Sequence, residues 1–215
     1  MCMSKEMEEN VLKTDEDFHE DLDKNFLEFE GKYTSDIAML PVFKDLMESS
    51  PEVKDFLYVE GEDIYYSKGD EFLRHRLPTK ISPRSELTHK KKPEGASNNI
   101  ARTEVDVRVD KNDVVTIKKF CDVLGFKHYF RITKYCHIYY TAESTLVFYS
   151  IKDHEGGKGT RDHFVEIEVD KKLAANITRN ECKAIIRRWE NFLAPIGIKY
   201  QKRLDRQLFD IYRKF

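Results

Sequence analysis

The chain has few cysteines, and none of them is spaced as in a metal or disulfide motif. Its 215 residues contain only Cys2, Cys121, Cys136 and Cys182, with no CxxC pair among them. This scatter argues against both a zinc knuckle and a disulfide framework. We therefore expect reduced thiols and a cytoplasmic protein.

Long apolar runs are also missing. No segment approaches the roughly 20 apolar residues needed to span a bilayer. The N-terminal region, rich in Glu and Asp, lacks the apolar core of a signal peptide. The sequence therefore predicts a protein that is neither membrane-bound nor exported.

The chain has almost no net charge, because 37 Lys and Arg residues face 39 Asp and Glu residues, for a formal charge of −2. A protein that coats nucleic acid through bulk positive charge is therefore not expected, although this net charge is compatible with a local basic tunnel. Any specificity for a charged partner must come from the local arrangement of side chains.

The length suits one well-packed domain better than two, and no internal repeat of fixed period is visible. Residues 1–25 are mostly charged and are predicted to form a loosely docked helix or a mobile arm. We assign residues 26–215, including the C-terminal helices, to a single domain.

Hydrophobic periodicity predicts alternating stretches of strand and helix. A helix is expected after Asp36, kinked or restarted by Pro41, and another after Asp113, burying Ile117, Phe120 and Leu124. A third should follow the capping box of Thr178 and Glu181. Strands are predicted near residues 26–33, 56–67, 70–77, 85–92, 101–109, 127–140, 145–151 and 163–169. The pattern is that of an α+β fold.

The first and last predicted strands each carry a pair of carboxylates on one face. Glu28 and Glu30 lie two residues apart in the first strand, as do Glu166 and Glu168 in the last. Like charges on one face repel, and a divalent metal held by carboxylate oxygens would offset that repulsion. The alternative is a solvated sheet face, on which the repulsion is screened.

Other strands also have one apolar and one ionised face. Arg74 and Arg76 share a face of one strand, and residues 102–109 alternate charged and apolar side chains. An open sheet would expose this ionised face to water, whereas a barrel would enclose it as a polar lumen. A lumen with carboxylates and fixed cations suits a polyanion bound together with a metal.

The ordered set of charged motifs resembles the CYTH family, also called the triphosphate tunnel metalloenzymes. The family's opening Glu-x-Glu-x-Lys matches Glu28, Glu30 and Lys32, and its closing Glu-x-Glu matches Glu166 and Glu168. Between them lie counterparts of its Arg-x-Arg, Leu-Thr-x-Lys-x-Pro and Arg-x-Glu-x-acid strands, which are Arg74 and Arg76, residues 87–93, and Arg102, Glu104 and Asp106. The resemblance covers about residues 26–200.

The resemblance implies an eight-stranded antiparallel β-barrel tunnel with flanking helices, open at both ends. It implies Mg²⁺ or Mn²⁺ held by Glu28, Glu30, Glu166 and Glu168, which with Lys32 would form the catalytic set. Phosphate-binding cations would be Lys32, Arg74, Arg76, Lys91, Arg102 and Lys134, with Lys91 preferred over Lys90 as the lysine nearer the proline. Glu104 and Asp106 would support the cations or hold a second metal.

Two positions depart from the family pattern. Its Lys-x-Arg strand reads Lys134, Tyr135, Cys136, so one cation is absent or supplied by Arg131 or Lys158. Ser150 stands where an aspartate is expected, with Asp153 as a displaced candidate. In hydrolytic members that aspartate helps to hold a second metal and the attacking water.

Three functions follow from the resemblance. The first is a metal-dependent triphosphatase acting on an inorganic, nucleoside, thiamine or RNA 5′ triphosphate. The second is a class IV adenylyl cyclase, which makes cyclic AMP from ATP with similar side chains. The third is a non-catalytic triphosphate binder, suggested by the departures at Cys136 and Ser150. The expected partner is thus a small triphosphate or an RNA 5′ end.

Overall fold

The computed structural model describes residues 27–69, 71–82, 84–91, 101–109, 114–153, 162–198, 203–204 and 208–212. The predicted N-terminal arm lies outside these residues, as does Lys158. The strands are β1 (Leu27–Ser35), β2 (Asp55–Lys68), β3 (Glu71–Arg76), β4 (Ser85–Lys91), β5 (Ala101–Val109), β6 (Lys127–Tyr140), β7 (Ser144–Asp153) and β8 (Asp162–Val169).

The eight strands form one closed barrel. Their order around it is β1, β5, β4, β3, β2, β6, β7, β8, and every neighbouring pair is antiparallel. Closure occurs between β1 and β8, where Glu30 lies opposite Glu168 and Lys32 opposite Glu166. The predicted antiparallel barrel with flanking helices is therefore confirmed.

Five helices accompany the barrel in the part of the chain that the structure describes. They are α1 (Leu40–Ser49), α2 (Val114–Val123), α3 (Lys171–Ala174), α4 (Arg179–Phe192) and α5 (Leu208–Tyr212). Pro41 lies in the first turn of α1, where its missing N–H costs nothing, so it starts this helix and does not kink one. The capping box of Thr178 and Glu181 begins α4, as predicted.

Helices cover the outer face of the barrel on two sides. Phe43 of α1 and Trp189 of α4 pack on outward side chains of β7 and β8, such as Phe148 and Val165, and all four are almost fully buried. On the other side Ile117 of α2 packs over β2, β3 and β4. The predicted burial of Phe120 in α2 and of Leu124 just after it is wrong, because Phe120 is 50% exposed and Leu124 is 44% exposed.

One end of the barrel is filled by aromatic side chains, here called the aromatic plug. It consists of the inward-facing residues Tyr65, Phe72, Phe130 and Phe164 together with Phe209 of α5. Phe209 stacks on Phe72 with ring centroids 4.8 Å apart, and Tyr65 stacks on Phe130 at 4.6 Å. The expectation of a tunnel open at both ends is therefore wrong, because the C-terminal helix seals one of them.

Among the described residues, no helix is both long and apolar enough to cross a membrane.

Candidate functional site

A cavity of about 460 Å³ lies inside the barrel, and all eight strands contribute to its wall. It extends to the end opposite the plug, where β3 ends and β4 begins. The segment between these strands contributes Leu77, Ile81 and Arg84 to the rim, and α3 contributes Lys171. The site is therefore a deep pocket with its mouth at one end.

The four predicted metal-binding carboxylates share one wall of this interior. Glu28 and Glu30 are almost fully buried on β1, and Glu166 and Glu168 lie on the neighbouring β8. Burial is the main cause that raises the pKa of Glu28 and Glu166, and it raises the pKa of Glu168 to about 7. Neighbouring carboxylates raise these pKa values further. The wall thus concentrates negative charge that the protein only partly compensates.

Two buried lysines lie between these carboxylates. The Nζ of Lys90 is 2.6 Å from one carboxylate oxygen of Glu28 and also contacts Glu104. The Nζ of Lys32 is 3.2 Å from Glu30 and 3.6 Å from Glu166. Burial opposes the charge of each lysine, but the adjacent carboxylates outweigh it and raise the pKa of both. Both lysines are therefore held in the charged form.

The carboxylate wall offers the oxygen ligands that a divalent cation prefers. Within the described ranges, no three His, Cys, Asp or Glu side chains are grouped closely enough to hold a metal as they stand. Lys32 and Lys90 provide the positive charge between the carboxylates instead. Hard oxygen donors with raised pKa values are nonetheless what Mg²⁺ or Mn²⁺ would bind and stabilise as anions. The donor set fits such an ion, provided that the lysines move from the carboxylates.

The two predicted arginines of β3 face the same interior. Arg76 donates two hydrogen bonds to Asp63 of β2, with N–O distances of 2.9 and 3.2 Å. Arg74 donates to Glu86 at 3.1 Å and to the hydroxyl of Thr88 at 2.9 Å. Despite burial, Arg76 and Lys134 hold the pKa of Asp63 well below its usual range. This wall is a network of fixed, paired charges.

Lys134 and Cys136 of β6 also line the cavity. The Nζ of Lys134 lies 3.6 Å from Asp63 and 5.0 Å from the centre of the Tyr149 ring. Burial lowers the pKa of Lys134, whereas it raises the pKa of the Cys136 thiol to about 11. The thiol is therefore protonated near neutral pH and is not an activated nucleophile. The departure at residue 136 leaves an uncharged position inside the pocket.

The interpretation of Ser150 as a missing acid in the lumen is wrong. Tyr149 lines the cavity, and alternation along β7 turns the next residue outward. Ser150 is buried in the outer layer, with its hydroxyl 2.7 Å from Nδ1 of His163. The match between β7 and the family's aspartate position was therefore wrong by one residue.

A change of Ser150→Asp is expected to destabilise the protein without raising turnover. The new carboxylate would be buried outside the lumen, and we expect a loss of about 1–3 kcal/mol in the free energy of unfolding. Urea unfolding measures that loss. An increase in hydrolysis by this variant would contradict the outward position of Ser150.

The supporting acids Glu104 and Asp106 of β5 form ion pairs with a lysine at the rim. Lys171 of α3 lies 2.7 Å from Glu104 and 2.9 Å from Asp106. Asp106 also accepts a hydrogen bond of 2.7 Å from the Thr88 hydroxyl. Lys90, Lys171 and Arg74 together hold the pKa of Glu104 below its usual range. These acids orient cations on the β3, β4 and β5 side of the pocket.

Lys90 of β4 faces the carboxylates, and we add it to the proposed phosphate-binding set. The side chain of Lys91, the lysine preferred from the sequence, lies outside the described residues. The side chain of Arg102 lies outside the described residues; its backbone pairs with Glu28. The sequence analysis did not identify Asp63 and Lys171 as residues of the pocket. Asp63 could have been found, because it continues the inward alternation of β2.

The raised pKa of Glu168 predicts a pH dependence of stability in the presence of a chelator. Between the ordinary value of 4.5 and about 7 the folded protein binds more protons than the unfolded chain, so stability falls as pH rises through this window. Asp63 and Glu104 have lowered pKa values, so their contribution changes only in more acidic solution. The thermal midpoint should be higher at pH 5 than at pH 7.5.

Glu168→Gln should reduce this difference between the two pH values, because the glutamine does not titrate. Glu60→Gln, on the exposed outer side of β2, should leave it unchanged. A thermal midpoint that rises from pH 5 to pH 7.5 in the chelated wild-type protein would contradict the prediction.

Solved structures share this architecture. The PH1012 protein of Pyrococcus horikoshii is 21% identical, with a TM-score of 0.65, over 86% of this chain and 99% of its own. A candidate adenylate cyclase of Vibrio parahaemolyticus is 17% identical, with a TM-score of 0.54, over 86% and 97%. The triphosphatase of the Mimivirus capping enzyme is 13% identical, with a TM-score of 0.52, over 85% and 96%. These likenesses confirm the resemblance at the level of the fold.

A similar fold also occurs in a subunit of a large assembly. A chain of the Schizosaccharomyces pombe Mediator head module is 10% identical, with a TM-score of 0.57, over 79% of this chain and 95% of its own. No family model matches the chain, and no curated protein sequence matches it. An activity must therefore be argued from the side chains in the pocket.

Proposed function

We propose that the chain is a metal-dependent triphosphatase of the triphosphate tunnel family. The observation that carries this proposal is a pocket with fixed cations on several walls beside four clustered carboxylates. Arg74, Arg76, Lys90 and Lys134 line the pocket with Glu28, Glu166 and Glu168, and Lys32 and Glu30 are buried next to Glu166. Such a pocket offers a polyphosphate hydrogen-bond donors and offers a divalent cation its preferred oxygen ligands.

The ion pairs of the pocket indicate how a triphosphate would bind. Each of these cations has a carboxylate neighbour in the structure, as Arg76 has Asp63 and Lys90 has Glu28. Phosphate oxygens would take over part of these contacts, which frees carboxylate oxygens for a metal. The metal would then replace the positive charge that Lys90 carries away from the β1 and β8 wall.

The chain's own residues then provide most of the catalysis by position and charge. Arg74, Arg76 and Lys134 would neutralise charge on the phosphate oxygens and keep the chain of phosphates in one orientation. A divalent cation held by Glu28, Glu30, Glu166 and Glu168 would polarise the phosphate that is attacked. The plug excludes water from one end, so the nucleophile must enter from the mouth.

The test is product analysis with the full chain. Tripolyphosphate, ATP, thiamine triphosphate and 5′-triphosphorylated RNA are incubated with Mg²⁺ or Mn²⁺, and in parallel with a chelator. We expect release of orthophosphate that depends on the metal and falls strongly in Arg74→Ala and Arg76→Ala. Arg187→Ala, on the exposed side of α4, is the matched control. Binding of these compounds without turnover would identify a non-catalytic binder.

An adenylyl cyclase is the second candidate. It is supported by the shared fold with the candidate cyclase of Vibrio parahaemolyticus. The same cations would serve, but the ribose hydroxyl would attack the α-phosphate and pyrophosphate would leave. Cyclic AMP and pyrophosphate as products from ATP would replace our first proposal by this one.

A further inference from the structure

We propose that the pocket selects an organic triphosphate over the inorganic one and holds the organic group on an apolar wall at its mouth. This inference rests on the proposed function and names the substrate class for that site. The apolar wall consists of Leu57 and Val59 of β2, Ile138 of β6 and Val147 of β7.

The apolar wall is continuous across three neighbouring strands. Leu57 lies opposite Ile138, and Ile138 lies opposite Val147 on its other side. Val59 lies opposite Cys136, the uncharged position noted above. All of them line the cavity and keep part of their surface accessible. The outer part of this side of the interior is therefore apolar, whereas Asp63 and Lys134 make the deeper part of the same side ionised.

The strand directions place this wall at the mouth. Leu57 is near the start of β2, Ile138 near the end of β6 and Val147 in the first half of β7. The plug residues Tyr65 and Phe130 lie at the other ends of β2 and β6. A ligand with its phosphates among the deep cations must therefore direct its remaining part along the apolar wall towards the mouth.

Inorganic triphosphate gains nothing from such a wall. It carries charge along its whole length, so apolar neighbours only displace its hydration water without replacing the lost hydrogen bonds. An apolar or aromatic group attached to the α-phosphate instead buries surface there, which is favourable in proportion to the area removed from water. Leu77 and Ile81 add apolar side chains to the rim of the same cavity.

The test compares two ligands that resist hydrolysis. β,γ-imido ATP and inorganic diimidotriphosphate are titrated calorimetrically into the full chain with Mg²⁺. We expect the ATP analogue to bind at least about tenfold more tightly, the discrimination typical of an apolar contact. Ile138→Asn and Val147→Thr should each reduce that preference and leave the affinity for diimidotriphosphate unchanged.

Tyr58→Asn is the matched control, because Tyr58 lies on the outer face of β2 between Leu57 and Val59 and is 46% exposed. It should preserve both affinities. Equal or tighter binding of diimidotriphosphate by the wild-type protein would overturn this inference alone and leave triphosphatase activity intact. Failure of both ligands to bind would overturn the inference and the proposed function together.

Discussion

Lys90→Met is expected to lower the free energy of unfolding by about 3–5 kcal/mol, because it leaves buried carboxylates without their shared cation. Glu28 is 4% exposed and Glu104 is 7% exposed, and both contact Nζ of Lys90. Methionine keeps the approximate length and the apolar stem of lysine. The loss in the free energy of unfolding therefore measures the effect of removing the charge. Urea unfolding in the presence of a chelator measures it.

Two further variants make this interpretation specific. Adding Glu28→Gln to Lys90→Met should recover part of the loss, since one uncompensated carboxylate is removed. Arg188→Met removes a cation that bridges Glu52 and Glu143 on the surface, where all three side chains are more than 40% exposed. We expect that change to cost about 1 kcal/mol or less. Similar losses for the two single variants would contradict a buried ion-pair network.

The alternation of charged and apolar residues predicted strands with one ionised and one apolar face, as in Glu28 to Lys32. It left an open sheet and a closed barrel as alternatives, and the resemblance to the triphosphate tunnel family favoured the barrel. The same alternation placed the two carboxylates of each terminal strand on one face, whereas the resemblance implied that both pairs share one wall. The inward position of Lys90 was not predictable, because two further lysines follow it in the sequence.

Other features depend on contacts between distant segments. The plug depends on the docking of α5, and nothing local shows that Phe209 should enter the barrel and not pack outside it. Ser150 was misplaced because a one-residue slip in a strand exchanges its two faces. The alternation of β2 points Asp63 inward, but its ion pairs with Arg76 and Lys134 depend on the neighbouring strands β3 and β6. The periodicity of a strand predicts the face on which each side chain lies. The contact partners of that side chain depend on the register between strands.

The double change Glu30→Gln with Glu168→Gln is expected to reduce metal-dependent turnover by about 100-fold or more, because it removes charged ligands from both strands of the carboxylate wall. These two residues lie opposite each other where β1 and β8 close the barrel. The glutamines keep the shape of the side chains and relieve the repulsion that, after burial, contributes to the raised pKa of Glu168.

The fold should therefore be unchanged or more stable, with a thermal midpoint in chelator at or above that of the wild type. Orthophosphate release and Mn²⁺ binding by calorimetry are measured on the same samples, with Glu60→Gln as the control on the outer face of β2. Lost turnover with retained folding and weakened Mn²⁺ binding is the expected result. Turnover at the wild-type rate in the double variant would contradict a metal site formed by these carboxylates.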